Sequence, residues 1–179
     1  MRVMVVGAAE LTAAGRAELR AMLDGAFDGD FDDDDWAHAT GGAHVLAFDG
    51  DELVGHASVV GRTLWYDGRP LRTGYVEAVA VRHGYRGRGR GTAVMEQVAA
   101  LIEREYELGA LASAELAMPL YRRLGWRLWL GPTHVNGPDG RVPTPDEDGG
   151  VFVLTRPGGD PDLDLTEPLT CDWRTGDVW

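Results

Sequence analysis

The sequence predicts one mixed α/β (α+β) domain over residues 1–179, a mostly antiparallel sheet with flanking helices. Three observations lead there. Short apolar runs in the first half are joined by Asp-Gly pairs at 49–50 and 67–68, the chemistry of tight hairpin turns. Two longer segments, 11–27 and 92–108, carry apolar residues at helical spacing. Between them a near-continuous apolar strand runs through a glycine-rich loop into the second helix, the order of a strand–helix crossover. A chain of 179 residues is long enough to bury one full hydrophobic core.

Each element has its own signal. MRVMVVG alternates enough for a first strand. In LTAAGRAELRAMLDGAF, Leu19, Met22, Leu23 and Phe27 share one helical face, and Gly25 loosens the end. The acidic stretch DGDFDDDDW reads as a loop. HVLAF and DELVGHASVV form a hairpin through Asp49-Gly50, and WYDGRP turns the chain into the strand LRTGYVEAVAV. TAVMEQVAALIEREYEL is an amphipathic helix with Val94, Val98, Leu101 and Ile102 on one side. LGALAS suits a short buried strand, and ELAMPLYRRLGW a short helix stopped by Gly125. WRLWL and GVFVL then close the sheet. NGPDGRVPTPDEDGG reads as a long loop, and the tail RPGGDPDLDLTEPLTCDWRTGDVW shows little periodicity.

Composition narrows the function classes. Hydrophobic residues make up 44% and charged residues 26%, a globular balance. With 29 acidic against 17 basic residues and a net charge of -12, nucleic acid is not an expected partner, whereas a cationic small molecule suits the field. All 17 basic residues are arginines, so no lysine can form a Schiff base. Cys171 is the sole cysteine, which excludes intrachain disulfides and suits a reducing compartment. No apolar run approaches the ~20 residues of a membrane span, and MRVMVVGAAE is too short for a signal peptide. The expectation is a soluble, cytoplasmic protein without a membrane partner.

Against this acidity, Val81–Val94 (VRHGYRGRGRGTAV) concentrates Arg82, Arg86, Arg88 and Arg90 among four glycines. Arg86 to Gly91 reads R-G-R-G-R-G. It lacks the Lys-Ser/Thr of a Walker A loop, and Thr92 stands where a G-x-G-x-x-G motif needs its last glycine. A tight glycine turn between a strand and a helix aims backbone N–H groups and the positive helix end at one point, a target the size of a pyrophosphate.

R-G-R-G-R-G after YVEAVAV resembles the R/Q-x-x-G-x-G/A signature of the GCN5-related N-acetyltransferases (GNAT). The resemblance implies the GNAT acyl-CoA N-acyltransferase fold and acetyl-CoA as cosubstrate. It places Val79, Ala80 and Val81 on the pantetheine arm, and Arg86, Gly87, Arg88, Gly89, Arg90 and Gly91 on the pyrophosphate. GAFDGDFDDDDW, GYVEAVAVR, LGALAS, LYRRLGW, GPT, TPDEDG, VFVL and CDWRTGDVW extend the resemblance, in order, to the aminoglycoside 2'-N-acetyltransferases. That family implies acetyl transfer to the 2'-amine of a polycationic aminoglycoside, a role in antibiotic resistance, and a homodimer. It implies Glu77 as general base, directly or through water, and Tyr121 as the acid that protonates the departing thiolate. It sets Asp30, Asp35, Glu77, Ala78, Ala112, Asp146, Glu147, Asp177 and the Trp179 carboxylate around the substrate. Asp32, Asp33 and Asp34 are left as a solvated charge run. This chain departs from the family at Ala78 (often glycine), Ala112 (often serine) and Glu147 (often aspartate), and RPGGDPDLD is slightly longer than usual.

Other chemistries do not fit. DGDFDDDDWAHA places Asp33 and Ala39 where a calcium loop needs glycine and glutamate. His38, His44, His56, His83 and His134 show no metal-ligand spacing, and neither Ser58 nor Ser113 lies in G-x-S-x-G, so no metal site or serine nucleophile is expected. With no cysteine or lysine in a motif suited to carry acetyl, transfer should be direct, in a ternary complex. An acetyltransferase for another cationic amine, such as a cell-wall amino sugar or a polyamine, stays open. So does a non-catalytic domain that binds acyl-CoA or drug.

Overall fold

A computed structural model of the chain describes residues 1–155 and 163–179. It comprises two compact units: Met1–Val60 with Val76–Ala100, and Gly61–Tyr75 with Leu101–Trp179. Strands β3 (Glu52–Tyr66) and β4 (Arg69–Val81) each give one half to each unit.

In the first unit, β1 (Arg2–Gly7) pairs antiparallel with β2 (Ala43–Asp49), with Val3 opposite Ala47. β2 continues the hairpin into β3, with Val45 opposite Ala57, a bulge at Ala47/Phe48, and Gly50 turning at φ +61°. Helix α1 (Ala13–Ala26) starts at Thr12, whose side chain accepts from Gly15 N at 3.1 Å. Its buried face holds Leu19, Met22, Leu23 and Ala26, and these pack with Phe31, Ala39, Leu46, Leu53 and Ala80. The acidic stretch is not simply a loop. Asp33–Ala39 form a helix, α2, because Asp32 accepts from Asp35 N while Asp35 accepts from Asp32 N, a reciprocal capping box. The charge run stays exposed, with Asp33 reaching Arg20 of α1 at 2.9 Å. The first unit takes in α3 (Arg90–Glu105) as far as Ala100, and the helix begins two residues before the expected Thr92.

In the second unit the strands follow the order β6 (Arg127–Leu128), β9 (Val151–Thr155), β5 (Leu108–Ala112), β4, β3, β10 (Leu169–Asp172), β7 (Thr133–Gly137), β8 (Gly140–Pro143). The β3–β4 turn uses Asp67 and Gly68, both at positive φ, as its Asp-Gly pair predicts. β5 (Leu108–Ala112) runs parallel to β4 over Thr73–Tyr75 and antiparallel to β9 (Val151–Thr155). Helix α4 (Met118–Arg123) stops at Gly125, φ +85°. WRLWL contributes only the short β6 (Arg127–Leu128).

Two expectations in this unit are corrected. The long loop at 136–150 is largely a hairpin: β7 (Thr133–Gly137) turns through Pro138-Asp139 into β8 (Gly140–Pro143), then a 3-10 turn at Pro145–Glu147. The tail supplies β10 (Leu169–Asp172), antiparallel to β3 and parallel to β7. Most of the longer-than-usual segment RPGGDPDLD falls outside the described residues. Among the described residues no helix is long and apolar enough to cross a membrane, and no group of three or more metal-binding side chains is found.

Candidate active site

In the first unit the site is built on the end of β4 and the start of α3. Gly87 and Gly89 take φ of +73° and +76°, the left-handed region that a side chain disfavours. Alternating that geometry with ordinary residues turns successive amides to one side. Among the described residues, no chain carbonyl accepts from the N–H groups of residues 87–92, because the first later amide to be paired is Ala93, with Gly89 O at 3.0 Å. Six consecutive unpaired donors and the positive end of a 16-residue helix therefore sit together.

The loop arginines divide in a way the sequence does not show. Arg86 donates to Val81 O at 3.0 Å and to Ala26 O at 2.7 Å. Arg90 pairs with Asp49 and lies over the Tyr85 ring, while Arg82 donates to Leu53 O at 3.2 Å and faces Glu52 at 3.4 Å. These three brace the loop from behind. Arg88 is exposed and has no hydrogen bond or ion pair among the described residues.

On β4, Glu77, Ala78 and Val79 are partly exposed and Ala80 is buried. Ala78 adopts φ +48°, which costs an L-residue about 1–2 kcal/mol. Its carbonyl accepts from His56 Nδ1 at 2.8 Å, and His56 Nε2 lies 3.0 Å from His44 Nδ1. Both rings are fully buried; burial lowers His56 to about 3 and, with Arg16, lowers His44 to about 4, so both are neutral at pH 7. Asp30 is exposed on the loop after α1, whereas Asp35 is already engaged in the α2 cap.

In the second unit, Tyr121 of α4 is buried between Trp126 and Phe152, with ring centroids at 6.3 and 5.8 Å. Its hydroxyl has no hydrogen-bond partner among the described residues, and burial pushes it up to about 12. The turn after β8 gathers acids: burial, then Asp177, then Asp146 raise Glu147 above the usual carboxylate range. Ala112 is exposed at the end of β5. Trp179 is buried, its indole N–H donating to Thr144 Oγ1 at 2.9 Å, and its backbone oxygen accepts from Arg174 at 2.8 Å. One oxygen of the Trp179 carboxylate, the group expected to face a substrate, thus has a partner in Arg174.

The tail is held by a residue that sequence reasoning passed over. Arg62, on β3, donates to Asp172 Oδ1 at 2.8 Å, to Asp172 O at 2.7 Å and to Val178 O at 2.7 Å, over the Tyr75 ring.

The model of the Acetyltransferase (GNAT) domain matches residues 9–129. This chain belongs to the GNAT acetyltransferases. A 178-residue alignment gives 47% identity to the aminoglycoside 2'-N-acetyltransferase of Mycolicibacterium fortuitum, covering 98% of this chain and 90% of that protein. Among solved structures, the GNAT family N-acetyltransferase YhbS of Escherichia coli in complex with CoA superimposes with a TM-score of 0.64 at 14% identity, over 96% of this chain and 90% of that one. Eis1 of Mycobacterium abscessus gives a TM-score of 0.62 at 19% identity, over 75% of this chain. The chain spans about a third of the length of several solved structures it matches, 33% of Eis1. At these identities the likeness is one of fold.

Within this GNAT chain the histidine pair was missed because its members are 12 residues apart and meet only when β2 and β3 pair. One signal was available: His56 sits inside the apolar run LVGHASVV, where a histidine needs a buried partner.

Proposed function

We propose that this chain transfers the acetyl group of acetyl-CoA to the 2'-amine of aminoglycosides by direct attack in a ternary complex, in the cytoplasm, as one catalytic domain over 1–179 and as a homodimer, conferring resistance. The observation that carries the cosubstrate is the run of six unpaired amides ahead of α3. The substrate rests on the 47% identity to an aminoglycoside 2'-N-acetyltransferase.

The amides of residues 87–92 and the Arg88 guanidinium would hold the pyrophosphate, and Val79, Ala80 and Val81 would pair with the pantetheine arm. Bound there, acetyl-CoA supplies an acetyl group activated as a thioester. Glu77 takes a proton from the 2'-ammonium, whose pKa of about 8 to 10 otherwise keeps its lone pair occupied at neutral pH. The Val79 N–H polarises the acetyl carbonyl. As the new C–N bond forms and the C–S bond breaks, Tyr121 gives its proton to the sulfur. Burial keeps its hydroxyl protonated at neutral pH, so the proton is present for that transfer. Asp30, Asp146, Glu147 and Asp177, with the Glu77–Ala78 backbone and Ala112, receive the remaining ammonium groups, with Asp35 and Trp179 at the margin.

The test is thiol release from acetyl-CoA with aminoglycosides bearing either a 2'-amine or a 2'-hydroxyl. Turnover with the 2'-amine compounds alone is expected. Turnover with both sets removes the regiochemistry, and turnover with neither removes the substrate class.

A further inference from the structure

We infer that His44 and His56 form a positioning relay for the reacting strand: the relay fixes the Ala78 carbonyl, and through it the directions of Glu77 and the Val79 N–H. The inference rests on the role proposed for Glu77.

The hydrogen-bond chain has one consistent proton arrangement. The Ala78 carbonyl can only accept, so His56 Nδ1 carries the proton at 2.8 Å. A neutral His56 then has a bare Nε2, so His44 Nδ1 must donate across 3.0 Å. His44 Nε2 is left as a buried lone pair with no hydrogen-bond partner among the described residues. A core selected for packing alone has no reason to keep an orphaned acceptor at the end of such a chain. Its retention is explained by what the other end does.

That other end is a strained residue. Ala78 carries a Cβ at φ +48°, so its left-handed conformation must be imposed from outside. His56 does this by capturing the Ala78 carbonyl from β3. Ser58 Oγ, two residues along β3, stands 3.5 Å from the Glu77 carbonyl, at the limit of a hydrogen bond, so two successive carbonyls face one row of β3 side chains. Regular pleating would send them to opposite sides. If Ala78 relaxed to an extended conformation, Glu77 and the Val79 N–H would both rotate.

The experiment is a double-mutant cycle on kcat between His56→Leu and Ala78→Gly, with His56→Asn as the conservative variant. His56→Leu should lower kcat about 10- to 100-fold, the scale of a misplaced catalytic group, with KM for acetyl-CoA little changed. His56→Asn, whose side-chain amide can still donate to the carbonyl, should recover most of that loss. Combining His56→Leu with Ala78→Gly should also recover it, because glycine adopts the left-handed conformation unaided. An equal fold-loss with and without Ala78→Gly overturns the relay and leaves a packing role. Independently of activity, 15N NMR of the histidine rings of the unaltered protein should show both neutral and protonated at Nδ1 between about pH 5 and 8. A proton on His56 Nε2 alone overturns the inference even if His56→Leu does not fold. Glu77→Gln, measured in parallel, tests the role of Glu77 separately: full activity there removes the base, while the coupling and the tautomers still decide the relay.

Discussion

Replacing Arg62 with methionine tests what holds the tail of the second unit. The arginine side chain is only 4% exposed and makes three donated bonds of 2.7–2.8 Å to Asp172 and Val178. Breaking a buried pair by removing one partner costs roughly 3–5 kcal/mol. Asp172 is 38% exposed, so water can hydrate it once the arginine is gone, which puts the loss at the low end, about 3 kcal/mol. Arg62 Nη1 is itself buried without a hydrogen-bond partner among the described residues, and methionine removes that penalty while keeping apolar volume against the Tyr75 ring. For a chain of this size, about 3 kcal/mol lowers Tm by roughly 6–12 °C. Thermal unfolding by circular dichroism reads the shift, and hydrogen exchange at residues 169–179 should rise with it. KM for the amine should increase, because Val178, between Asp177 and Trp179, loses its bond to Arg62, while KM for acetyl-CoA stays fixed. A shift under about 2 °C, the scale of an ordinary surface ion pair, would refute the reasoning.

Three further outcomes are expected. Gly87→Ala adds a Cβ with nothing within 4 Å, so its effect is conformational only: holding φ +73° costs about 1–2 kcal/mol, read as a rise of about tenfold in KM for acetyl-CoA by steady-state kinetics. Tyr121→Phe should cut kcat by about 10²–10⁴-fold while leaving the fold intact by circular dichroism. Because burial raises Tyr121 to about 12, its hydroxyl is protonated below that value and loses its proton only as pH rises through it. The kcat profile should therefore show no alkaline fall owed to this residue up to about pH 10, and such a fall, abolished by Tyr121→Phe, would contradict its burial.

How much of this was legible in the sequence depended on range. The hairpins at Asp49-Gly50 and Asp67-Gly68, the Gly125 stop and the strand–loop–helix around R-G-R-G-R-G are local, and local chemistry specifies them. The hairpin of β7 and β8 escaped because β8 is an exposed strand ending in Pro143, with no alternation to betray it. β10 escaped because four residues of a polar tail become a strand only beside β3 and β7. Of the site, residue types were readable but not their commitments. Nothing in the spacing of the arginines says that Arg82, Arg86 and Arg90 brace the loop while Arg88 stays open. Nor does the run of aspartates say that Asp35 closes a helix cap. Arg62 and Asp172 are 110 residues apart, beyond any local pattern.

The position of β10 also governs when the second unit can form. Its sheet has β10 as an interior strand, with β3 on one side and β7 on the other, so β7 and β8 have no place to dock until residues 169–172 arrive. Closing that order means bringing Leu169 to Tyr66 across a hundred residues of chain, the kind of distant pairing that slows folding. During synthesis the first unit has its residues in hand by Ala100, whereas the second waits for the last strand of its sheet. A nascent chain therefore carries β3 with an unpaired edge for most of its elongation, and that edge is where a chaperone would bind or misassembly would begin.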